Sequence, residues 1–303
     1  MNFQDIVLSK TEIEKFLEKN PKIVVIRATA TGKSKLSIEL SKFFDVEIIS
    51  SDSRQIFRKM DIGTDKVSDE ILNQIPHHQV NIIDPDQVYT SGEWQKDAKK
   101  QIKEIQSRKI SFIVGTGLYI DTIYKNFDMP EIPDLDFRKE MFDLENKEAI
   151  LHKRLSEIDP EEAKKHHPNS TRYIVRALEI FHKSGKTKTD TFKEQNVEQP
   201  ILMIGIRRDK ESTKELIAKR IKEMINLIEE VKLLEEYSPT LQSMQIYKEV
   251  VGYLEEYDIE EMENLLNKNT QYLAKKQRTW FRRYIEDEKH PKKDVSYKVW
   301  YLD

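Results

Sequence analysis

The sequence predicts an α/β fold: a parallel sheet core with an inserted helical subdomain and a helical C-terminal region. Three observations carry it. Short β-branched runs, KIVVI at 22–26, VEIIS at 46–50, ISFIV at 110–114 and ILMIGI at 201–206, are bounded by charge, Gly or Ser, as strands buried on both faces are. Segments with helical apolar spacing lie between them, which is the alternation of a parallel sheet with its ligands at the carboxyl ends of the strands. After about Asn126 the texture changes to FDMPEIPDLD, proline-rich and acidic, and then to an almost purely helical pattern as far as Lys188.

Taken in order, residues 1–21 mix acids and lysines in a helix-like pattern. They read as an N-terminal helical extension, lacking the basic front and apolar middle of a secretory signal. The core is expected over 22–128 and 200–303. Leu36, Leu40 and Phe43 put an apolar stripe on a helix over 33–44, and residues 93–107 repeat that spacing less regularly. The inserted helical subdomain is expected over 129–199, with helix starts near Asp159-Pro160 and Asn169-Ser170, residue types that cap or open helices. Long helices are predicted over 210–236 and 260–288.

Composition narrows the class. Of 303 residues, 38% are hydrophobic and 35% charged, and no apolar stretch approaches the roughly 20 residues of a membrane span. Membrane embedding is excluded, and a cytoplasmic enzyme or binding protein fits. The chain has no cysteine, which excludes disulfides and thiolate metal sites. The net charge of -3 decides nothing, but its distribution is uneven. Residues 254–263 carry six acids, whereas 268–283 carry six Lys or Arg and no acid, with Tyr272, Trp280 and Phe281 interleaved. The second segment reads either as a nucleic-acid contact or as a solvated helix face.

The chain has eight glycines, and Gly32, Gly115 and Gly117 fall at strand-to-helix junctions. There, glycine lets backbone N–H groups approach an anion. RATATGKS at 27–34 follows the first strand and ends in the Gly-Lys-Ser of a phosphate-binding loop, offering N–H donors, a lysine charge and a hydroxyl for phosphate and its magnesium. Arg27 stands where that pattern wants glycine; a left-handed backbone there costs about 1–2 kcal/mol, which is strain and not abolition. Asp52 ends the second strand, where a carboxylate can hold magnesium, accept a proton from a nucleophile, or cap a helix. ISFIVGTG ends in glycine instead of a metal-binding acid, with Asp84 after VNII as the substitute. The adjacent pairs His77-His78 and His166-His167 read as structural hydrogen-bonding groups, and metal ligation is set aside.

Together, TATGKS, EIISSDSRQIFRKMDIGTDK, HHQVNIIDP, VGTGLY, RYIVRALEIFHKSGK and LAKKQRTWFRR resemble the tRNA dimethylallyltransferases, also called tRNA isopentenyltransferases, in order and spacing across roughly residues 22–284. The resemblance implies a P-loop NTPase-like α/β core that transfers a five-carbon allyl group from dimethylallyl diphosphate to the exocyclic N6 amine of adenosine at tRNA position 37. It implies a diphosphate cradle of Thr29, Ala30, Thr31, Gly32, Lys33 and Ser34 with Arg220, and Mg²⁺ held at Ser34. Asp52 is implied as general base, with Thr116 and Lys33 at the reacting centre. For tRNA it implies Asp52, Ser53, Arg54 and Gln55, Arg172 and Arg176, Lys248, and the basic stretch Lys275, Lys276, Gln277, Arg278, Trp280 and Arg282. The base must leave its stack to react. The partners implied are tRNA and dimethylallyl diphosphate, with no membrane and no obligate protein partner, and the family precedent is a monomer.

Departures from the family pattern cluster near the site: Arg27-Ala28 for Gly-Pro, Val114 for the first glycine of a GGTG turn, Ile246 for a glycine, Leu216 for an arginine beside the retained Arg220, and Tyr173 for a basic residue. The rival readings are a catalytically silent tRNA-binding homologue, a transferase that prenylates free adenine nucleotides, and a small-molecule kinase.

Overall fold

In the computed structural model, residues 22–26, 33–42, 44–107, 109–115, 117–127, 129, 133–144, 150–193, 201–206, 209–256, 258–289 and 297–302 are described. The expected N-terminal helix over 1–21 lies outside them. The chain divides into two compact units, one of residues 1–89, 97–124 and 197–303, the other of residues 90–96 and 125–196.

The first unit is built on β1 (Lys22–Ile26), β2 (Val46–Ser51), β3 (His77–His78), β4 (Ile110–Gly115), β5 (Ile201–Ile206) and β6 (Tyr297–Leu302), in the order β3-β2-β4-β1-β5-β6. Every pairing is parallel. The β-branched runs become strands because both their faces are covered: Ile23, Val24 and Val25 of β1 are all fully buried. Helix α1 (Lys33–Ser41) sets Leu36 and Leu40 on one face, against Ile23, Val25, Ile48, Phe112 and Val114. Helices α2 (Asp69–Gln74), α3 (Ser91–Gln106) and α4 (Gly117–Tyr124) complete the first half of the chain, and α3 begins within the second unit.

The strand order fixes where a ligand belongs. The chain leaves β1 for β2 on one side and later leaves β4 for β5 on the other. Right-handed crossovers then send the helices after β1 and β4 to opposite faces, opening a crevice at the carboxyl ends of those two neighbours.

After β5 come α10 (Lys210–Glu223), α11 (Leu227–Leu233), α12 (Ser238–Ser243), α13 (Gln245–Glu255) and α14 (Ile259–Lys289). The single helix expected over 210–236 is interrupted by 3₁₀ turns at Met224–Asn226 and Glu235–Tyr237. Its buried residues, Ile217, Ile221, Met224, Leu227, Val231 and Leu234, keep helical spacing through the first break, so the sequence pattern does not mark it. These helices enclose a second core with Ile56, Phe57 and Met60 of the segment after β2. Strands β3 and β6 were not expected. A two-residue strand is too short to alternate, and β6 lies beyond the last predicted helix.

The second unit includes α5 (Leu135–Leu144), α6 (Ile150–Ile158), α7 (Pro160–Ala163), α8 (Thr171–Ser184) and α9 (Lys188–Thr191). They surround Phe137, Met141, Leu151, Leu155, Ile174 and Leu178. Helix α7 begins where sequence places it: Asp159 accepts the Glu162 N–H and Pro160 occupies the first turn. Helix α8 starts after Ser170 and ends at Gly185, whose left-handed backbone (φ 67°) closes the helix with an N–H donated to the Phe181 carbonyl. Two buried carboxylates tie these helices. Glu179 receives both arms of Arg138 at 2.9 Å, the Arg176 guanidinium and the Asp134 N–H. Burial pushes its pKa up, but these donors outweigh burial and leave it below the usual carboxylate value. Glu162 is likewise held at about 2, burial being opposed by Lys188, Lys165 and His166. No described helix is long and apolar enough to cross a membrane.

Candidate active site at the carboxyl edge of the sheet

Three segments singled out by sequence leave the sheet side by side. Gly115, the last residue of β4, is the register partner of Ile26 at the end of β1 and of Ser51 at the end of β2. β1, β4 and the Asp52 segment after β2 therefore all meet one edge, with β1 and β2 about 10 Å apart across β4. Gly115 is required there on two counts. Its φ of 153° is one that L side chains rarely adopt, and a Cβ would lie 2.5 Å from Ser51 Oγ and 2.9 Å from the Asp52 nitrogen. The absence of that one carbon lets the end of β4 lie against Ser51 and the Asp52 backbone.

Asp52 is half-buried, and its Oδ1 accepts the Arg54 N–H at 2.9 Å. Among the described residues nothing donates to Oδ2. The local turn holds the carboxylate by one oxygen. Arg54 is exposed and Ser53 half-buried. Gln55 is committed within the protein: its Oε1 accepts the Ser50 hydroxyl at 2.9 Å, and its Nε2 donates to the carbonyls of Thr64 and Asp65.

Residues Thr29, Ala30, Thr31, Gly32 and Thr116 lie outside the described residues. Lys33 and Ser34 form the first turn of α1, seven residues after the end of β1, so two of the proposed cradle residues open a helix at the crevice. Arg220, on α10, is mostly buried, with its guanidinium 3.1 Å from the Asp65 carboxylate. Asp84 is half-buried and pairs with Arg58 at 3.3 Å.

A network that sequence reasoning missed fixes the segment between Asp52 and Lys66. Glu230 of α11 accepts the N–H groups of Asp61, Ile62 and Gly63 at 2.9, 2.8 and 3.2 Å, and the Tyr247 hydroxyl at 2.6 Å. Burial, then the Glu230 charge, pushes the Tyr247 phenol well above its usual pKa, so it stays a donor. Lys66, whose side chain is 2% exposed, donates to Asp61 and Asn81 at 2.6 Å and to the Phe57 carbonyl. Burial lowers its pKa, opposed by Asp61. The glycine of MDIGT hints at a turn, but nothing in LIEEVKL marks Glu230 as its anchor. His77 and His78 are also engaged, with the Ile75 carbonyl and with Glu47, each at 2.7 Å.

The basic stretch on α14 has two sides. Lys275, Lys276 and Arg282 are exposed and Arg278 is half-buried, whereas Gln277, Phe281 and Tyr284 face inward. Trp280 packs on the start of α4: a Cβ on Gly117 would lie 2.6 Å from its Nε1. Arg283 stacks over the Trp280 ring at 4.1 Å and donates to Asp121 at 2.8 Å. Asp121, buried on α4, also accepts the Tyr284 hydroxyl at 2.5 Å. Burial and Asp121 push that phenol's pKa up. One face of α14 thus braces the helix that follows the Gly-Thr-Gly turn. Lys248 is exposed on α13. In the second unit Arg172 is exposed, Arg176 is paired with Glu179, and Tyr173 is exposed and stacked on His166.

Comparison with known proteins gives a consistent result. The family model described as IPP transferase matches residues 55–284. The tRNA dimethylallyltransferase of Thermotoga maritima is 40% identical over 268 residues, covering 85% of this chain and 88% of that protein. That of Halothermothrix orenii is 42% identical over 280 residues, covering 86% and 84%. Among solved structures, the tRNA isopentenylpyrophosphate transferase of Bacillus halodurans is 33% identical with a TM-score of 0.61, covering 93% of this chain and 90% of that one. A eukaryotic dimethylallyltransferase acting on tRNA is 27% identical with a TM-score of 0.74, covering 91% and 73%. With a match of this extent, and with the Asp52 segment, the Gly-Thr-Gly turn and the α14 brace at one edge of a parallel sheet, the chain belongs to the IPP transferase family.

Proposed function

We infer that the protein transfers the dimethylallyl group of dimethylallyl diphosphate to the exocyclic N6 amine of adenosine 37 in tRNA, next to the anticodon. The observation that carries this reading is the close approach at Gly115, which sets the Asp52 backbone against the end of β4 at the edge where β1 also ends.

In the proposed step the C–O bond between the allyl carbon and diphosphate breaks, the N6–C bond forms, and the N6 proton passes to Asp52. An aryl amine is a poor nucleophile, so a carboxylate within hydrogen-bond reach lowers the barrier as positive charge develops. Oδ2 is the free oxygen among the described residues, and the Arg54 N–H fixes Oδ1. Lys33, with the backbone N–H groups that open α1, stabilises negative charge on the departing diphosphate. A serine hydroxyl, as at position 34, is a hard oxygen donor of the kind that suits Mg²⁺. Held at Ser34, the ion would supply further charge neutralisation on the leaving group. The Thr116 hydroxyl is assigned to the substrate beside the reacting amine.

No hydrolytic water has to be activated, which accounts for a β4 that ends in glycine. The exposed cations of α14 and Arg172 are assigned to the tRNA backbone. Incubation with unmodified tRNA, Mg²⁺ and dimethylallyl diphosphate, followed by nucleoside mass analysis, tests the reading. A five-carbon gain on adenosine is expected; tRNA binding without that gain would favour the catalytically silent homologue.

A further inference from the structure

Helices α10 and α14 leave a groove of about 160 Å³ between them, lined by Lys210 and Lys214 on one side and by Gln271, Tyr272, Lys275 and Arg278 on the other. We propose that this groove seats the sugar-phosphate backbone of the RNA substrate, extending the contact surface of α14 onto the first turns of α10. The proposal rests on the tRNA reading above.

Charge comes first. From Asn264 to Ile285 helix α14 carries no acid, so nothing on it offsets Lys275 and Arg278. Across the groove, Lys214 pairs with Glu211 at 2.9 Å, an exposed pair that gives way readily to a stronger anion. Glu215 is the other acid on that stretch of α10, and Asp209 is committed to capping Ser212. The cations are spread instead of converging. Lys210 and Lys214 stand one turn apart, about 6 Å along the axis, so each addresses its own phosphate. That spacing suits a polyanion better than one small anion.

Tyr272 is 56% exposed and carries Lys276 over its ring at 4.4 Å. An exposed ring beside cations is what single-stranded RNA uses for stacking. Position completes the case. Helix α10 begins a few residues after β5, whose Gly205 is the register partner of Ile26. On α14, Lys275 precedes Trp280, the residue packed on Gly117, by five positions, about 7.5 Å. RNA lying in the groove is therefore led toward the edge that carries Asp52.

The test is binding of unmodified tRNA across a salt series by the full-length protein and by Lys210→Gln/Lys214→Gln, with Lys275→Gln as a second variant. Each lost phosphate contact lowers the slope of log K against log salt by about 0.7–0.9. The double variant is expected to lose about one to two from that slope and to bind about tenfold more weakly at low salt. Its KM for dimethylallyl diphosphate and its thermal midpoint should not change. Parallel salt lines for variant and parent, or weaker binding at unchanged slope, would overturn the groove assignment while leaving the tRNA reading intact. Salt-indifferent or absent binding by the parent protein would overturn both.

Discussion

Gly117 and Trp280 are packed so closely that a single methyl group on the glycine would lie 2.6 Å from the indole Nε1. The contact joins the helix after the Gly-Thr-Gly turn to the C-terminal helix across 163 positions of sequence. Gly117→Ala is expected to displace one of the two, at a cost of about 1–3 kcal/mol in stability and about tenfold or more in transfer rate. Trp280→Leu on the Gly117→Ala background should recover part of both losses. A double-mutant cycle in urea unfolding and single-turnover transfer measures the coupling. Additive effects would mean that the contact positions nothing.

Glu230 is the keystone of the segment after Asp52. Glu230→Gln keeps its size but presents an amide to three backbone N–H groups and a phenol that all donate. A destabilisation of about 2–4 kcal/mol is expected by urea unfolding. Tyr247→Phe removes one donor and should cost about 1 kcal/mol.

The Asp65–Arg220 pair makes a separate prediction about affinity. Arg220 is assigned to the diphosphate, yet its guanidinium is engaged by the half-exposed Asp65. Asp65→Asn removes that competitor. A partly exposed ion pair contributes up to about 1 kcal/mol, so inorganic pyrophosphate should bind up to about fivefold more tightly by calorimetry. Weaker binding would mean that Asp65 orients Arg220 for the ligand.

The helical unit should be acid-sensitive. The pKa of Glu162 falls from its ordinary 4.5 to about 2 in the folded state. A depressed carboxylate contributes stability that is complete above its unfolded pKa and is lost as pH falls through the folded one. Its contribution is therefore expected to decline between about pH 4.5 and 2. Glu162→Gln should flatten that part of the stability curve and cost about 1–2 kcal/mol at neutral pH, once solvent screening is allowed for. Circular dichroism across pH measures both.

What was legible in the sequence follows the range of the forces involved. Strands β1, β2, β4 and β5 were readable because complete burial demands unbroken β-branched runs. Asp159-Pro160 was readable because that helix start is local chemistry, whereas the helix after Ser170 begins without a capping bond from the serine side chain. Asp52, Gly115 and Gly117 could be singled out as residues at strand ends. The partners that position them were not visible: Ser51 against Gly115, Trp280 against Gly117, and Glu230 beneath Asp61, Ile62 and Gly63. Each pairing joins residues at least 64 positions apart through shape or hydrogen bonding, and neither leaves a periodic signal. The break at Met224 escaped for a related reason, since a 3₁₀ turn there preserves the spacing of the buried face. Gln55, expected to contact tRNA, has its amide occupied by Ser50, Thr64 and Asp65, a local use that residue type alone does not disclose.

The proposed transfer turns on Asp52 taking the proton from the attacking amine. Single-turnover transfer to unmodified tRNA by Asp52→Asn, with tRNA affinity measured alongside, tests it most directly. The expected rate is lowered about 10²–10⁴-fold, with tRNA bound within a few-fold of the parent protein. An Asp52→Asn protein that transfers the five-carbon group at close to the parent rate would contradict it.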